Sequence, residues 1–296
     1  MKQETKSGYV AIIGRSNVGK STLLNTILGQ KISITARKPQ TTRHKILGIK
    51  TCDKTQTIYV DTPGLHQKNN RALNNYLNQT ALSALSGVNI VIFVIEAMKW
   101  SEEDDLAFKN LNKITCPIIL IVNKVDIIEN KNVLLPFLEK ISSKFKFQEI
   151  IPLSAKTGVN IDKLEKSIAA LLPINPFYFS EEQITDKSER FLVAEIIREK
   201  LTRFLGQEVP HDLAVIIEKF SEQKTVTRIA AIIYVEREGQ KAIVIGKNGE
   251  KLKAISTKAR LDIEKLLNKK VFLEVWVKVK QGWSNDIRSM QKLGYN

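Results

Sequence analysis

Residues 14–22 read GRSNVGKST, with Gly14, Gly19, Lys20 and Ser21 at the spacing G-x-x-x-x-G-K-[S/T]. That spacing suits the holding of a chain of phosphates. Gly14 and Gly19 let the backbone curl so that its N–H groups point inward at the anion. The Lys20 ammonium reaches the β- and γ-phosphates and the Ser21 hydroxyl holds Mg2+. Arg15, Ser16, Asn17, Val18 and Thr22 complete the binding stretch. It opens a helix whose N-terminus adds partial positive charge.

Three later stretches identify the base. In DTPG, Asp61 meets Mg2+ through water, and Gly64 offers a backbone N–H to a γ-phosphate; Thr62 and Pro63 lie between them. In NKVD, Asn123 and Lys124 precede Asp126, whose carboxylate accepts both the N1–H and the N2–H2 of guanine. Adenine lacks that pair of donors, so it would leave the charge unmatched. In SAK, Ser154, Ala155 and Lys156 close over the base, with the Ala155 N–H facing guanine O6. DTPG alone is also an ordinary turn and SAK alone carries nothing; the order of all four specifies guanine. Between them, ARKPQTTRHKI has no periodicity, and Thr41 or Thr42 lends a hydroxyl to Mg2+. Lys20, Thr42, Asp61 and Gly64 are the set expected to act on the γ-phosphate. Leu65 stands where a water-orienting glutamine would be, and a leucine side chain cannot hydrogen-bond. A K+ ion held with the help of Asn17 is one substitute for it; Asn17 also reads as a simple loop residue, and His66, the other candidate, reads rather as a solvent-facing loop histidine.

The elements that must position these residues are visible as well. YVAII before Gly14 and IILIVN before Lys124 are β-rich apolar runs. STLLNTIL has helical spacing and ends in Gly29. Alternating strand and helix signals predict an α/β domain over residues 1–172. PINPFYFS, with three aromatics and two prolines, predicts a stiff, packed linker over 173–187. Residues 188–296 then read helix, strand, strand, helix, GxxG, helix, strand. Gly246, Lys247, Asn248 and Gly249 form the GxxG loop, which brings backbone close to sugar–phosphate in the manner of a KH domain. Lys251 and Lys253 follow it on the next helix. Trp283 reads two ways, stacked on a base or covering the sheet.

With 43% hydrophobic residues and no apolar run long enough to span a bilayer, the chain of 296 residues reads as soluble and cytoplasmic. The net charge is +15, and it is unevenly placed: residues 181–240 carry 9 Lys/Arg against 12 Asp/Glu, residues 241–296 carry 13 against 5. A basic excess at one end implies a polyanion partner, nucleic acid or an acidic membrane surface. Cys52 and Cys116 have no metal-type spacing.

Over residues of about 8–172 these motifs resemble the translation-factor-like class of small GTPases. That likeness implies a mostly parallel six-stranded sheet with helices on both faces. With TTRH and GKNG added, the chain is similar to the Era family of bacterial ribosome-assembly GTPases over residues of about 8–285. The resemblance implies a type II KH domain after the GTPase domain, slow GTP hydrolysis, and Mg2+ with GTP or GDP as ligand. It further implies binding to small-subunit ribosomal RNA near its 3′ end, a role in 30S assembly, peripheral contact with the inner membrane, and a monomer. The rival reading is a membrane-associated signalling GTPase whose basic tail binds anionic lipid.

Overall fold

The apolar run before Gly14 is the C-terminal, largely buried part of β1 (Lys6–Ile13), which lies between two parallel neighbours, β3 (Thr55–Asp61) and β4 (Ile90–Glu96). β5 (Ile118–Asn123) and β6 (Glu149–Pro152) continue the parallel array; β2 (Ile46–Cys52) pairs antiparallel with β3 at the other edge. The order is β2-β3-β1-β4-β5-β6. β4 and β5 are buried at every residue, which is why IVIFVIE and IILIVN show no polar alternation. Around the sheet run α1 (Lys20–Leu28), α2 (Ala72–Ser83), α3 (Glu102–Leu111), α4 (Leu134–Ser142) and α5 (Ile161–Leu171). Because five strands point one way, Gly14, Asp61, Glu96, Asn123 and Ser154 all follow or end strands at one rim of the sheet. That rim is where ligands bind in open α/β sheets.

This computed structural model describes residues 4–36, 38, 41–64, 72–111, 114–205 and 213–295, in two units. The first unit runs on to Asp186, so residues 173–186 are part of its body and not a spacer. The Ser7 Oγ donates to the Pro176 carbonyl at 2.6 Å, and Gln56 exchanges hydrogen bonds with the Tyr178 and Phe179 backbone. The aromatics of PINPFYFS take part: the Tyr178 ring meets Tyr9 at 5.4 Å.

The second unit contains α6 (Glu189–Phe204), β7 (Leu213–Glu222), β8 (Val226–Val235), α7 (Glu238–Ile245), α8 (Glu250–Leu267), β9 (Lys270–Val279) and α9 (Ile287–Lys292). β8 is central, antiparallel to β7 and parallel to β9. Helices cover one face around Ile196, Leu201, Ile229, Ile233, Ile255 and Ile263. The described residues of 34–41 also belong to this unit. Arg198 forms a two-point ion pair with Glu195 and donates to the Thr41 carbonyl, and Arg203 donates to the Thr35 carbonyl at 2.8 Å.

Candidate nucleotide site and GxxG loop

The stretch from Gly14 turns directly from β1 into α1, whose first residue is Lys20. Glycine is obligatory at position 19: its φ is +105°, and a Cβ there would sit 2.2 Å from Asn123 Nδ2. The same Asn123 amide donates to the Val18 carbonyl at 2.7 Å, while its oxygen accepts from the Ala155 N–H at 2.9 Å. One side chain therefore ties the phosphate loop, NKVD and SAK together. Gly64 lies so close to the phosphate loop that a Cβ would fall 2.5 Å from Ser16 Oγ, which places DTPG against that loop.

Lys20 is buried, and its Nζ donates to the Gly14 and Arg15 carbonyls at 2.9 and 2.8 Å. Burial pulls its pKa from 10.5 to about 8, partly opposed by Asp61. Beside it, Ser21 Oγ lies 2.8 Å from Thr42 Oγ1 and donates to Asp61 Oδ2 at 2.9 Å. Asp61 is fully buried, and burial raises its pKa against the hydrogen bonds from Ser33 and Ser21 and the charge of Lys20. Its Oδ1 has no hydrogen-bond partner among the described residues. Two hydroxyls and a buried carboxylate with an unmatched oxygen suit a small hard cation such as Mg2+. The hydroxyl at this point is that of Thr42; Thr41 turns its own to the Lys38 carbonyl.

At the base end, Lys124 is in the left-handed region (φ 69°) and leads into a single turn of 3-10 helix that carries Asp126. The Asp126 carboxylate is exposed and held by Ser154 Oγ at 2.6 Å. The Ala155 carbonyl is fixed by Thr26 of α1. Not every expected side chain points to the ligand: Lys156 is exposed, and Thr62 donates inward to the Ile12 carbonyl. Arg15 turns to Asp104 (3.1 Å) and Glu96 (3.6 Å). Asn17 is exposed at φ 65°, a conformation asparagine tolerates. Leu65 and His66 lie outside the described residues.

Four residues here carry no sequence signal. Asn25 clamps the Ile32 and Ser33 amides with one oxygen, which delivers the Ser33 hydroxyl to Asp61 at 2.8 Å. Glu96 accepts from Lys124 at 2.7 Å and from Lys99; these bonds outweigh burial and hold its carboxyl below the usual range. Asp104 is fully buried and fixes Arg15.

In the second unit α7 ends at Gly246 (φ 72°), Asn248 (φ 51°) and Gly249 (φ 77°) are left-handed, and α8 begins at Glu250. A Cβ on Gly246 would fall 2.5 Å from Lys251 Cβ. Lys247, Asn248 and Lys253 are exposed, and the N-terminus of α8 has no side-chain cap; the Glu250 N–H bonds back to the Lys247 carbonyl. Trp283 does not join this surface. It is fully buried and stacked on Tyr295 at 5.7 Å, so of its two readings packing holds and base stacking is withdrawn.

Comparison with known proteins agrees with this geometry. Residues 9–124 match the family described as 50S ribosome-binding GTPase, and residues 208–284 match the KH domain. A GTPase Era from Coxiella burnetii (strain Dugway 5J108-111) is 55% identical over 98% of both chains. One from Marinobacter nauticus is 52% identical over 98% of this chain and 95% of its own. Among solved structures, Era in complex with MgGDPNP and nucleotides 1506–1542 of 16S ribosomal RNA superposes with TM-score 0.95 at 38% identity, covering 98% of this chain and 99% of that one. A variant of Aquifex aeolicus Era bound to GDP·AlF4− matches with the same values.

Proposed function

The chain belongs to the Era family of GTPases, and we propose that it binds small-subunit ribosomal RNA near its 3′ end through the GxxG loop and assists 30S assembly. The observation that supports this reading is the coexistence in one chain of NKVD and SAK tied to a phosphate loop and a GxxG loop that leads into a helix without a side-chain cap.

Lys20 releases the loop carbonyls and takes the β- and γ-phosphates. Asp126, braced by Ser154, accepts the guanine edge. The Gly64 N–H reports whether a γ-phosphate is present, which makes the site a switch. Ser21, Thr42 and Asp61 are the residues that would hold Mg2+, which supplies charge neutralisation at the phosphates. Leu65 offers no hydrogen bond to a water, so intrinsic hydrolysis is slow. Asn17 helps to hold K+ beside the phosphates; hydrolysis faster in KCl than in NaCl, with the difference lost in Asn17→Ala, is the expected result.

Thr41 and Thr42 are neighbours in the chain, one held by Arg198 of the second unit and the other beside Ser21 of the first. Chain connectivity alone therefore lets the nucleotide bias residues 34–41, and we assign to this segment the coupling of GTP to RNA binding. The protein acts as a cytoplasmic monomer with peripheral contact at the inner membrane. Among the described residues no helix is long and apolar enough to cross a membrane.

The test is RNA affinity at fixed salt with GDP and with a non-hydrolysable GTP analogue, for wild type and Gly249→Asp. Tighter binding with the analogue and loss in the variant are expected. Equal affinity in all four cases would leave only an indiscriminate basic surface.

A further inference from the structure

We propose that the face of the β7–β8–β9 sheet turned away from its helices is a second RNA surface, which takes unpaired bases by stacking. The inference rests on the reading that this unit binds RNA, and it adds a site separate from the GxxG loop.

β9 alternates strictly. Val271, Leu273, Val275, Val277 and Val279 turn into the core, while Lys270, Phe272, Glu274, Trp276 and Lys278 are exposed. Phe272 keeps 49% of its surface in contact with solvent and Trp276 45%. Single exposed apolar side chains are common, but two large rings on one face of one strand call for a ligand. The register completes the surface: Arg228 of β8 lies beside Phe272, Ile232 beside Trp276, and Tyr234 beside Lys278. The Arg228 guanidinium sits 5.5 Å over the Phe272 ring and the Lys280 ammonium 5.9 Å over that of Tyr234. Ala230 and Ile232 are buried as the floor between these longer side chains.

The chemistry selects the occupant. Arg228, Lys270, Lys278 and Lys280 surround the rings against Glu274 on the same face, a balance suited to phosphates. Protein interfaces deplete lysine at their centres, whereas a membrane-inserting face exposes aliphatic as well as aromatic side chains. Aromatic rings and stacked guanidinium planes on an open sheet are instead how proteins receive splayed RNA bases. Position agrees: β9 is the edge strand and α7, which runs into the GxxG loop, packs on it. An RNA strand leaving the loop need only pass round that edge.

The test uses the full chain with single-stranded RNAs of about five nucleotides, little more than a KH clamp holds, and of about twenty. The Phe272→Ala/Trp276→Ala double variant should weaken the longer RNA about tenfold or more and leave the shorter one and GTP hydrolysis unchanged. Arg228→Gln, which keeps both rings, should lower the salt dependence of longer-RNA binding by about one ion. The longer RNA should also quench tryptophan fluorescence, with the quench lost in Trp276→Phe. Unchanged longer-RNA affinity in both ring and arginine variants would overturn the proposal. So would loss of binding to phosphatidylglycerol vesicles with RNA binding intact, since the face would then be a lipid surface. Failure of the underlying reading looks different: the wild type would bind neither RNA, or Gly249→Asp would bind the shorter one normally.

Discussion

The two binding regions are built on opposite plans. In the nucleotide cradle nearly every functional side chain is held by another: Asn123 by Val18 and Ala155, Asp126 by Ser154, Lys20 by two carbonyls, Asp61 by Ser21 and Ser33. In the GxxG loop, left-handed backbone at Gly246, Asn248 and Gly249 shapes the site, and the side chains of Lys247 and Asn248 reach into solvent. A site that must distinguish guanine and sense one phosphate needs preset donors and acceptors. A site that grips a sugar–phosphate strand needs close approach of backbone, and it leaves the chain to supply the fit.

The sharpest way to break this contrast is at Lys20. Lys20→Met should lower kcat/KM for GTP by about a hundredfold to a thousandfold, since a preorganised charge is lost where charge develops. Phosphate release assays check it, and a loss of only a few-fold would mean the loop amides suffice alone.

At the other site the prediction inverts the usual roles of side chain and backbone. Gly246→Ala, whose new methyl group meets Lys251 Cβ, should weaken RNA about tenfold, the effect of roughly 1–3 kcal/mol of backbone strain. Asn248→Ala should cost less than half as much on the logarithmic scale. Equal losses would show that the loop reads RNA through its side chains after all. A similar effect is expected at Ser33→Ala: the Asp61 carboxylate loses one charge-assisted hydrogen bond, and nucleotide affinity should fall about tenfold, about 1.5 kcal/mol.

The effect of pH is graded. With Lys20 at about 8 when folded against 10.5 when unfolded, the unfolded chain binds more protons between those values. Stability without nucleotide should therefore rise as pH climbs from 8 towards 10.5, a gain of about 3 kcal/mol at most. Phosphates favour the ammonium, so binding runs the other way. GDP affinity should weaken above pH 8, by no more than about tenfold per pH unit. Calorimetry at pH 8.5 in buffers of different ionisation enthalpy should detect proton uptake on binding, absent in Lys20→Met.

What was legible in the sequence follows the same division. GRSNVGKS, DTPG, NKVD and SAK stand at strand ends, where spacing along the chain decides position in space. The helix–strand order around GKNG was equally readable, because each element has its own period and its own glycine. Ser33, Asn25, Glu96 and Asp104 were not, because they reach the site only through the packing of separate segments. Trp283 was ambiguous for a related reason: an aromatic near the chain end stacks or packs according to its neighbour, and Tyr295 is twelve residues away.

One further consequence lies in residues 173–186. β2 is an edge strand of the large sheet, and this segment lies along it: the Ile49 N–H donates to the Ile184 carbonyl, Gly48 bridges Thr185, and the Leu47 N–H meets Asp186. Exposed strand edges recruit one another, so the strap doubles as a guard against aggregation. During synthesis that guard emerges only after all six strands. A nascent first unit halted at residue 172 should be sticky, while one released at 186 should stay dispersed.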